Sequence, residues 1–238
     1  MTTSSPFHKK VILITGASGL IGRHLVDRYL SLGAIVCAQV NTGDIPAHEN
    51  LHVIAKDLAV PTSGTSLVQE AVSRAGSLDF IINNAANQAV LDSATATPDQ
   101  IALMHRINVQ APSEIIDEAS RHGVGVVLNI SSVEALNPRP GHEIYGASKA
   151  ALDLLTKSAS RTYAPMRTLG LRLGLIGGPG IDEGWPEGVA AWKSASPLGR
   201  YGTPDEVVGV TEFLLSPANA WATGSTYDFD GGVGSSSW

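Results

Sequence analysis

Six short runs of apolar, β-forming residues recur along the chain and limit the folds that it can adopt. They occupy residues 11–15, 34–40, 51–55, 78–83, 125–131 and 169–176. Such nearly continuous apolar runs are typical of parallel strands buried on both faces. Stretches with helical periodicity lie between most of them, at residues 20–32, 64–75, 98–122, 146–164 and 203–216. The alternation predicts an α/β fold: a single doubly wound parallel sheet with helices on both faces, of the Rossmann type.

The length of the chain fits one such domain, spanning residues 1–238. About ten residues separate the second and third runs, and they include Gly43 and Pro46, so we expect no full crossover helix there.

Composition excludes several classes of function. The formal net charge of −6 provides no basic surface for nucleic acid. Cys37 is the only cysteine, which excludes an intrachain disulfide and favours a reducing compartment. The first apolar run, from Val11 to Ile14, is too short for a signal-peptide core or a membrane span. The histidines show no metal-ligand spacing, so we expect no metal site. Taken together, these features predict a cytoplasmic protein with no nucleic-acid or membrane partner.

A glycine-rich segment follows the first predicted strand and opens the first predicted helix. It reads Thr-Gly-Ala-Ser-Gly-Leu-Ile-Gly over residues 15–22. Gly16, Gly19 and Gly22 remove side chains where a pyrophosphate would approach the backbone, and the helix N-terminus offers free N–H groups to the phosphates. A merely tight strand–helix turn would also account for the glycines, but the position after the first strand favours a dinucleotide loop.

The end of the second strand bears on the choice between NAD and NADP. An acidic residue there would bind the ribose 2′-hydroxyl of NAD, and a basic one the 2′-phosphate of NADP. Residues 39–42 offer neither. Both cofactors stay possible, and the absence of a repelling carboxylate slightly favours NADP. Arg23 could reach toward a phosphate or could be an ordinary exposed helix arginine.

A tyrosine and a lysine four residues apart, Tyr145 and Lys149, share one face of a predicted helix. A phenol can exchange a proton with a carbonyl or alcohol oxygen, and a nearby ammonium lowers its pKa by favouring the phenolate. Ser132 ends an apolar run, where parallel strands place ligand-facing residues, and its hydroxyl could hold the substrate oxygen.

These residues, with several further motifs, resemble the short-chain dehydrogenase/reductase family in its short, single-domain branch. The resemblance extends from Val11 to Gly232. Its ordered motifs are the glycine loop, Asp57-Leu58, Asn-Asn-Ala-Ala at 83–86, Asn108, the Ser132–Tyr145–Lys149 set, and the C-terminal segments 197–208 and 223–232.

The resemblance implies a role for each matched residue. Tyr145 would be the acid/base, Ser132 would orient the carbonyl, Lys149 would hold the nicotinamide ribose, and Asn108 would hold a water of a proton relay. The implied cofactor-binding residues, in addition to Tyr145 and Lys149, are Gly16, Ser18, Gly19, Leu20, Ile21, Gly22, Asn41, Asp57, Leu58 and Asn84. The implied activity is NAD(P)-dependent hydride transfer between a nicotinamide and a ketone or secondary alcohol.

Two departures from the short-branch pattern keep other functions open. Leu20 follows Gly19 as in the extended, sugar-nucleotide-modifying branch, and residues 171–180 replace the usual Pro-Gly after the sixth strand. The alternatives are a nucleotide-sugar epimerase or dehydratase and a non-catalytic NAD(P) sensor. The epimerase family usually adds a larger substrate domain, and a sensor would not need an acid/base.

Several residues also have structural interpretations. Asn83 is expected to bridge strands, Asp57 could cap a turn, and Glu134 could be a solvent-facing loop carboxylate instead of a substrate contact. His142 is expected to be a loop residue.

By resemblance, residues 178–196 form a substrate lid, and the helices at 98–122 and 146–164 pair in a dimer or tetramer. The lid contains two tryptophans and one basic residue, Lys193, and Arg139 is the main cation of the facing loop. We therefore expect a small, neutral, partly apolar carbonyl or alcohol substrate.

Overall fold

One sheet of seven parallel strands organises the protein in the computed structural model, which describes residues 5–235. Residues 1–4 and 236–238 of the predicted domain lie outside the described residues. The strand order is β3-β2-β1-β4-β5-β6-β7, which confirms the predicted doubly wound, Rossmann-type sheet. The strands are β1 (Val11–Ile14), β2 (Ile35–Val40), β3 (Leu51–Ala55), β4 (Phe80–Asn83), β5 (Val126–Ser132), β6 (Arg167–Leu173) and β7 (Thr226–Phe229).

The helices cover both faces of the sheet. They are α1 (Leu20–Ser31), α2 (Ser63–Ala75), α3 (Pro98–His105), α4 (Ala111–Arg121), α5 (Glu143–Thr162), α6 (Ile181–Gly184), α7 (Pro186–Ala195) and α8 (Pro204–Leu215). Helices α1 and α8 pack on one face, where Tyr29 and Leu214 are among the buried residues. Helices α2, α4 and α5 cover the other face around Leu67 and Ile115. The sheet is thus buried on both sides, which explains the apolar strands.

The predicted helix over residues 98–122 is interrupted. A π-helical turn, Arg106–Gln110, separates α3 from α4. Pro112 has no N–H and cannot donate to the carbonyl of Asn108 one turn earlier, so the regular α-helical bonding fails at this point.

Two further differences concern the C-terminal part of the sheet. The sixth strand ends at Leu173 instead of residue 176, and Ile176 forms only an isolated bridge with Gly202. A seventh strand, β7, pairs with β6, although its short, partly polar sequence was not predicted as a strand.

One expectation concerns the connection between β2 and β3. No helix connects these strands, as predicted from Gly43 and Pro46.

Within residues 5–235, no helix has the length and apolar character that a membrane crossing requires.

Candidate active site

The glycine loop lies at the point where the strand order reverses, between β1 and β4. Ligands of open parallel sheets bind at such a point, beyond the carboxyl ends of the strands. Gly16 adopts a φ of +64°, and a Cβ atom there would lie 2.8 Å from the Ala85 Cα. Thr15 ties the two strand ends together, because its hydroxyl accepts from the backbone N–H groups of Asn84 and Ala85 at 3.0 Å. The loop therefore has a fixed shape that only glycine permits at position 16.

The start of α1 suits a phosphate group. Gly19 is the N-cap and supplies no side-chain hydrogen bond, and the first turn has no acidic residue. First-turn N–H groups have no helical acceptors, so they are available to an anion, and the helix dipole favours it. At Gly22 a Cβ would overlap the Gly16 carbonyl oxygen, so glycine is required for the tight turn. The loop predicted at residues 15–22 thus fits a dinucleotide pyrophosphate.

Gln39 supports this loop and was missed as a functional residue in the sequence analysis. Its Oε1 accepts from the Gly16 N–H at 2.8 Å, and its Nε2 donates to the Lys56 carbonyl at 2.7 Å. The side chain is buried in β2. A glutamine inside an otherwise apolar strand was the available signal, since a buried amide requires hydrogen-bond partners.

Asn84 also supports the loop. Its Nδ2 donates to the carbonyls of Thr15 at 2.9 Å and Gly16 at 3.2 Å. The side chain therefore holds the loop, and its implied part in cofactor binding stays a prediction. Asn83 bridges β4 and β5 as expected, since its Nδ2 donates to the Asn129 Oδ1 at 2.8 Å.

Three further residues of the implied cofactor site, Asn41, Asp57 and Leu58, lie beyond the ends of β2 and β3. Asn41 is exposed next to the end of β2. Asp57 is exposed and accepts from the Ala59 N–H at 2.8 Å, which is a turn contact, while Leu58 is buried. Ser18 reaches the Thr42 carbonyl with its hydroxyl at 2.8 Å. The glycine loop and the segment after β2 are thus joined.

Ser132, Tyr145 and Lys149 meet at the carboxyl end of β5. Ser132 is the last residue of that strand, and the other two lie one turn apart near the start of α5. Tyr145 is 7% exposed and Lys149 is 2% exposed. The Lys149 Nζ lies 5.7 Å from the centroid of the Tyr145 ring and donates to the Ile130 carbonyl at 2.8 Å. The structure therefore brings together the three residues that the motif predicted.

Burial moves the pKa values of this pair in opposite directions. It raises the pKa of the Tyr145 phenol to about 12, partly offset by a hydrogen bond with Ser132. It lowers the pKa of the Lys149 ammonium to about 8, partly offset by the carboxylate of Asp153. The groups that lower the Tyr145 pKa are Ser132 and Arg139, so the expected effect of Lys149 on the phenol stays a prediction.

Asn108 lies in the π-helical turn and is buried. Its Oδ1 accepts from the Asn87 N–H at 2.7 Å, and its Nδ2 donates to the Ser148 Oγ at 3.0 Å. The side chain links the segment after β4 to the helix of Tyr145 and Lys149. Its predicted part in a proton relay stays a prediction.

The predicted lid consists of α6 and α7, with Trp185 between them. Lys193 pairs with Asp182 at 2.9 Å, which links the two helices. Leu20 of the glycine loop contacts the base of the lid, because a Cβ at Gly178 would lie 2.7 Å from the Leu20 Cδ2. The two departures from the short-branch pattern are therefore in contact.

No group of three or more His, Cys, Asp and Glu side chains suited to a metal ion occurs among residues 5–235.

Comparisons with known proteins agree with this geometry. The sequence model of the family described as Enoyl-(Acyl carrier protein) reductase matches residues 17–234. L-xylulose reductase of Bos taurus is 28% identical over 230 residues, which cover 92% of this chain and 94% of that protein.

Two solved structures show the same fold. The aldohexose dehydrogenase of Thermoplasma acidophilum superposes with a TM-score of 0.89 at 24% identity, covering 99% of this chain and 98% of that one. A 4-hydroxyisoleucine dehydrogenase complexed with NADH gives a TM-score of 0.86 at 25% identity, covering 96% of this chain and 100% of that one. Because the family model matches nearly the whole of this chain, the chain belongs to the short-chain dehydrogenase/reductase family of NAD(P)-dependent oxidoreductases.

Proposed function

We propose that the protein transfers a hydride between a nicotinamide and a ketone or secondary alcohol, with Tyr145 as the acid/base. The observation that supports this most strongly is the burial of Ser132, Tyr145 and Lys149 together at the carboxyl end of β5, on the sheet edge where the glycine loop also lies. A bound nicotinamide supplies or accepts the hydride. The protein supplies the proton and holds the reacting oxygen.

Each catalytic residue has a chemical task. A phenol whose pKa is about 12 is protonated at neutral pH, so Tyr145 can donate its proton to a carbonyl oxygen as that oxygen gains electrons. In this proposal the Ser132 hydroxyl donates a second hydrogen bond to the same oxygen. Lys149 is largely charged at pH 7, since its pKa is about 8, and is suited to hold ribose hydroxyls.

The cofactor that we favour is NADP over NAD. Arg23 supports this choice, because its Nε donates to the Ser18 carbonyl at 2.8 Å and its Nη2 to the Asp44 carbonyl at 3.3 Å. The exposed guanidinium therefore stands between the glycine loop and the segment after β2, where a 2′-phosphate would bind. Asn41, at the end of β2, has no charge to oppose it.

The substrate that we favour is small, neutral and partly apolar. Trp185 and Trp192 give the lid broad apolar surfaces. The basic residue of the lid, Lys193, is paired with Asp182, and Arg139 on the facing loop lies 3.2 Å from Glu134. Neither cation is free to bind an anionic substrate, such as an acyl-carrier conjugate.

The assembly that we favour is a homodimer or tetramer in the cytoplasm, paired through α3–α4 and α5. The outer face of α5 supports this, since Leu154 is 68% exposed beside the exposed Ala147 and Ala150. The single, buried cysteine is compatible with a reducing compartment.

The test is oxidation of NADPH and NADH in the presence of a panel of carbonyl compounds, with the reverse reaction on alcohols. We expect turnover of neutral ketones, with a higher kcat/KM for NADPH. An epimerase would act on nucleotide sugars without net cofactor turnover, and a sensor would bind the cofactor and turn over nothing. Either of these results would contradict the proposal.

A further inference from the structure

A compact cluster of charged and aromatic side chains borders the catalytic residues. Glu134 lies in the turn after β5, and its N–H donates to the Ser132 Oγ at 3.2 Å. His142 precedes α5, and its ring contacts the Tyr145 ring edge to face at 5.9 Å between centroids. The cluster therefore contacts two of the three catalytic residues directly.

Glu134 forms an ion pair with Arg139, the arginine of this cluster. Its Oε1 lies 3.2 Å from the Arg139 Nε, and its Oε2 lies 2.9 Å from the His142 Nδ1. Arg139 also approaches the His142 Nε2, at 2.9 Å. The same Arg139 nitrogen, Nη2, lies 3.4 Å from the His142 Nδ1, so the guanidinium contacts both ring nitrogens. The negative charge of Glu134 therefore opposes the positive charge of Arg139.

The lid holds Arg139 from the other side. The guanidinium carbon lies 4.5 Å from the centroid of the Trp185 ring, which is a cation–π geometry. The ring rests on Gly188, where a Cβ would overlap it. Arg139 is thus fixed between the wall of the site and its lid, while 42% of its side chain stays exposed. An anionic group of a substrate could reach this arginine only in competition with Glu134.

We propose that Glu134 is a specificity-determining residue that excludes anionic substrates by neutralising Arg139 at the entrance to the site. This inference rests on the proposed function and names the substrate class of that same site. A carboxylate or phosphate on the substrate meets the charge of Glu134 and a guanidinium that is already paired. A neutral ketone meets no such opposition.

The test compares kcat/KM for a carboxylate-bearing ketone with that for its matched neutral amide. In Glu134→Gln the side chain keeps its shape and loses its charge, so Arg139 becomes available. We expect the ratio of anionic to neutral kcat/KM to rise about tenfold or more, because like-charge repulsion is removed. The double variant Glu134→Gln/Arg139→Ala should lose that gain. Glu143→Gln is the matched control, since Glu143 bonds to the Gly141 N–H and not to Arg139, and its ratio should stay within about twofold of the wild-type value.

Three results would overturn the inference. The first is an unchanged ratio in Glu134→Gln while the neutral ketone is still reduced, which leaves the proposed function intact. The second is a gain that survives in the double variant. The third is a wild type that turns over neither ketone, which contradicts the proposed function as well. Thermal melting detects a folding defect of the Glu134→Gln variant. In that case Glu134→Ala tests the same inference, since it should also raise the ratio of anionic to neutral kcat/KM.

Discussion

At the scale of single residues, the site contains two buried groups, and burial disfavours the charged form of each. The phenol of Tyr145 stays protonated far above neutral pH, and the ammonium of Lys149 gives up its proton near pH 8. At pH 7 the pair is therefore a neutral phenol beside a largely charged lysine. This is the protonation state needed for donating a proton to a carbonyl. The free energy of keeping Lys149 charged and buried lowers the stability of the fold.

The first residue-scale prediction follows from this cost. The pKa of Lys149 is lowered in the folded protein, so the wild type gains stability as pH rises from about 8 to about 10.5, while at lower pH the buried charge costs up to about 3 kcal/mol. Lys149→Met removes the charge, and the loss of the bond to the Ile130 carbonyl offsets part of the benefit. We expect a Tm at pH 7 equal to or above that of the wild type, with activity lost.

Circular dichroism melts across this pH range check the sign. The wild-type Tm should rise relative to that of Lys149→Met between pH 8 and 10. A difference in Tm that stays constant over this range would show that Lys149 is not a buried charge.

The sequence predicted the chemistry-bearing residues better than the residues that support them. Tyr145, Lys149 and Ser132 belong to a spaced motif, so their proximity could be expected. Gln39 belongs to none, since its position was predicted only as part of a strand. The pairing of Glu134 with Arg139 depends on how the turn after β5 folds back, and no periodic pattern encodes that.

At the scale of elements, close backbone approaches and helix breaks decide the geometry. The glycine loop and α1 are so close that Gly22 leaves no room for a Cβ beside the Gly16 carbonyl. The π-helical turn at Asn108 interrupts a helix that periodicity alone predicts to be continuous. Pro112 is the sequence signal for that interruption, because it cannot donate a helical bond to the Asn108 carbonyl. The sequence does not predict strand β7, because its four residues lack a continuous apolar run.

The glycine loop gives an element-scale prediction with an internal control. Gly22→Ala forces the backbone of the loop and α1 apart, and we expect a loss of about 1–3 kcal/mol in unfolding free energy together with weaker NADPH binding. Gly209→Ala, in the middle of α8, has no atom within 4 Å of the new Cβ. It should stabilise the protein by roughly 0.5–1 kcal/mol, because alanine is the better helix former.

Thermal melts and NADPH fluorescence titrations measure both variants. If Gly22→Ala binds NADPH as the wild type does, the loop does not hold the pyrophosphate.

At the scale of the whole molecule, the fold places the glycine loop, the start of α5 and the predicted lid segment around the carboxyl edge of one sheet. Most of this arrangement could be predicted from the sequence, because continuous apolar strands separated by helices leave few alternatives to a doubly wound sheet. How copies of the chain associate is a separate matter, since the sheet and its two cores are complete in one chain.

The proposed association through α5 is tested by light scattering. The chain has a mass of 24.8 kDa, and we expect two or four times this value at micromolar concentration. Leu154→Glu places a charge on the exposed face of α5 and should lower the mass. Val53→Glu, at a position of the edge strand β3 that is 36% exposed, should not. A wild-type mass near that of one chain would contradict the pairing.

The central claim, that Tyr145 is the acid/base of a carbonyl reduction, is tested most directly by the kcat of Tyr145→Phe on a neutral ketone at saturating NADPH, followed by nicotinamide absorbance. The ring remains and the proton donor is lost, so kcat should fall at least several hundred-fold while the Kd for NADPH changes little. Tyr163, at the end of α5, donates its hydroxyl to Asp117 of α4, and Tyr163→Phe should keep wild-type activity. A Tyr145→Phe variant that retains most of its kcat would contradict the account.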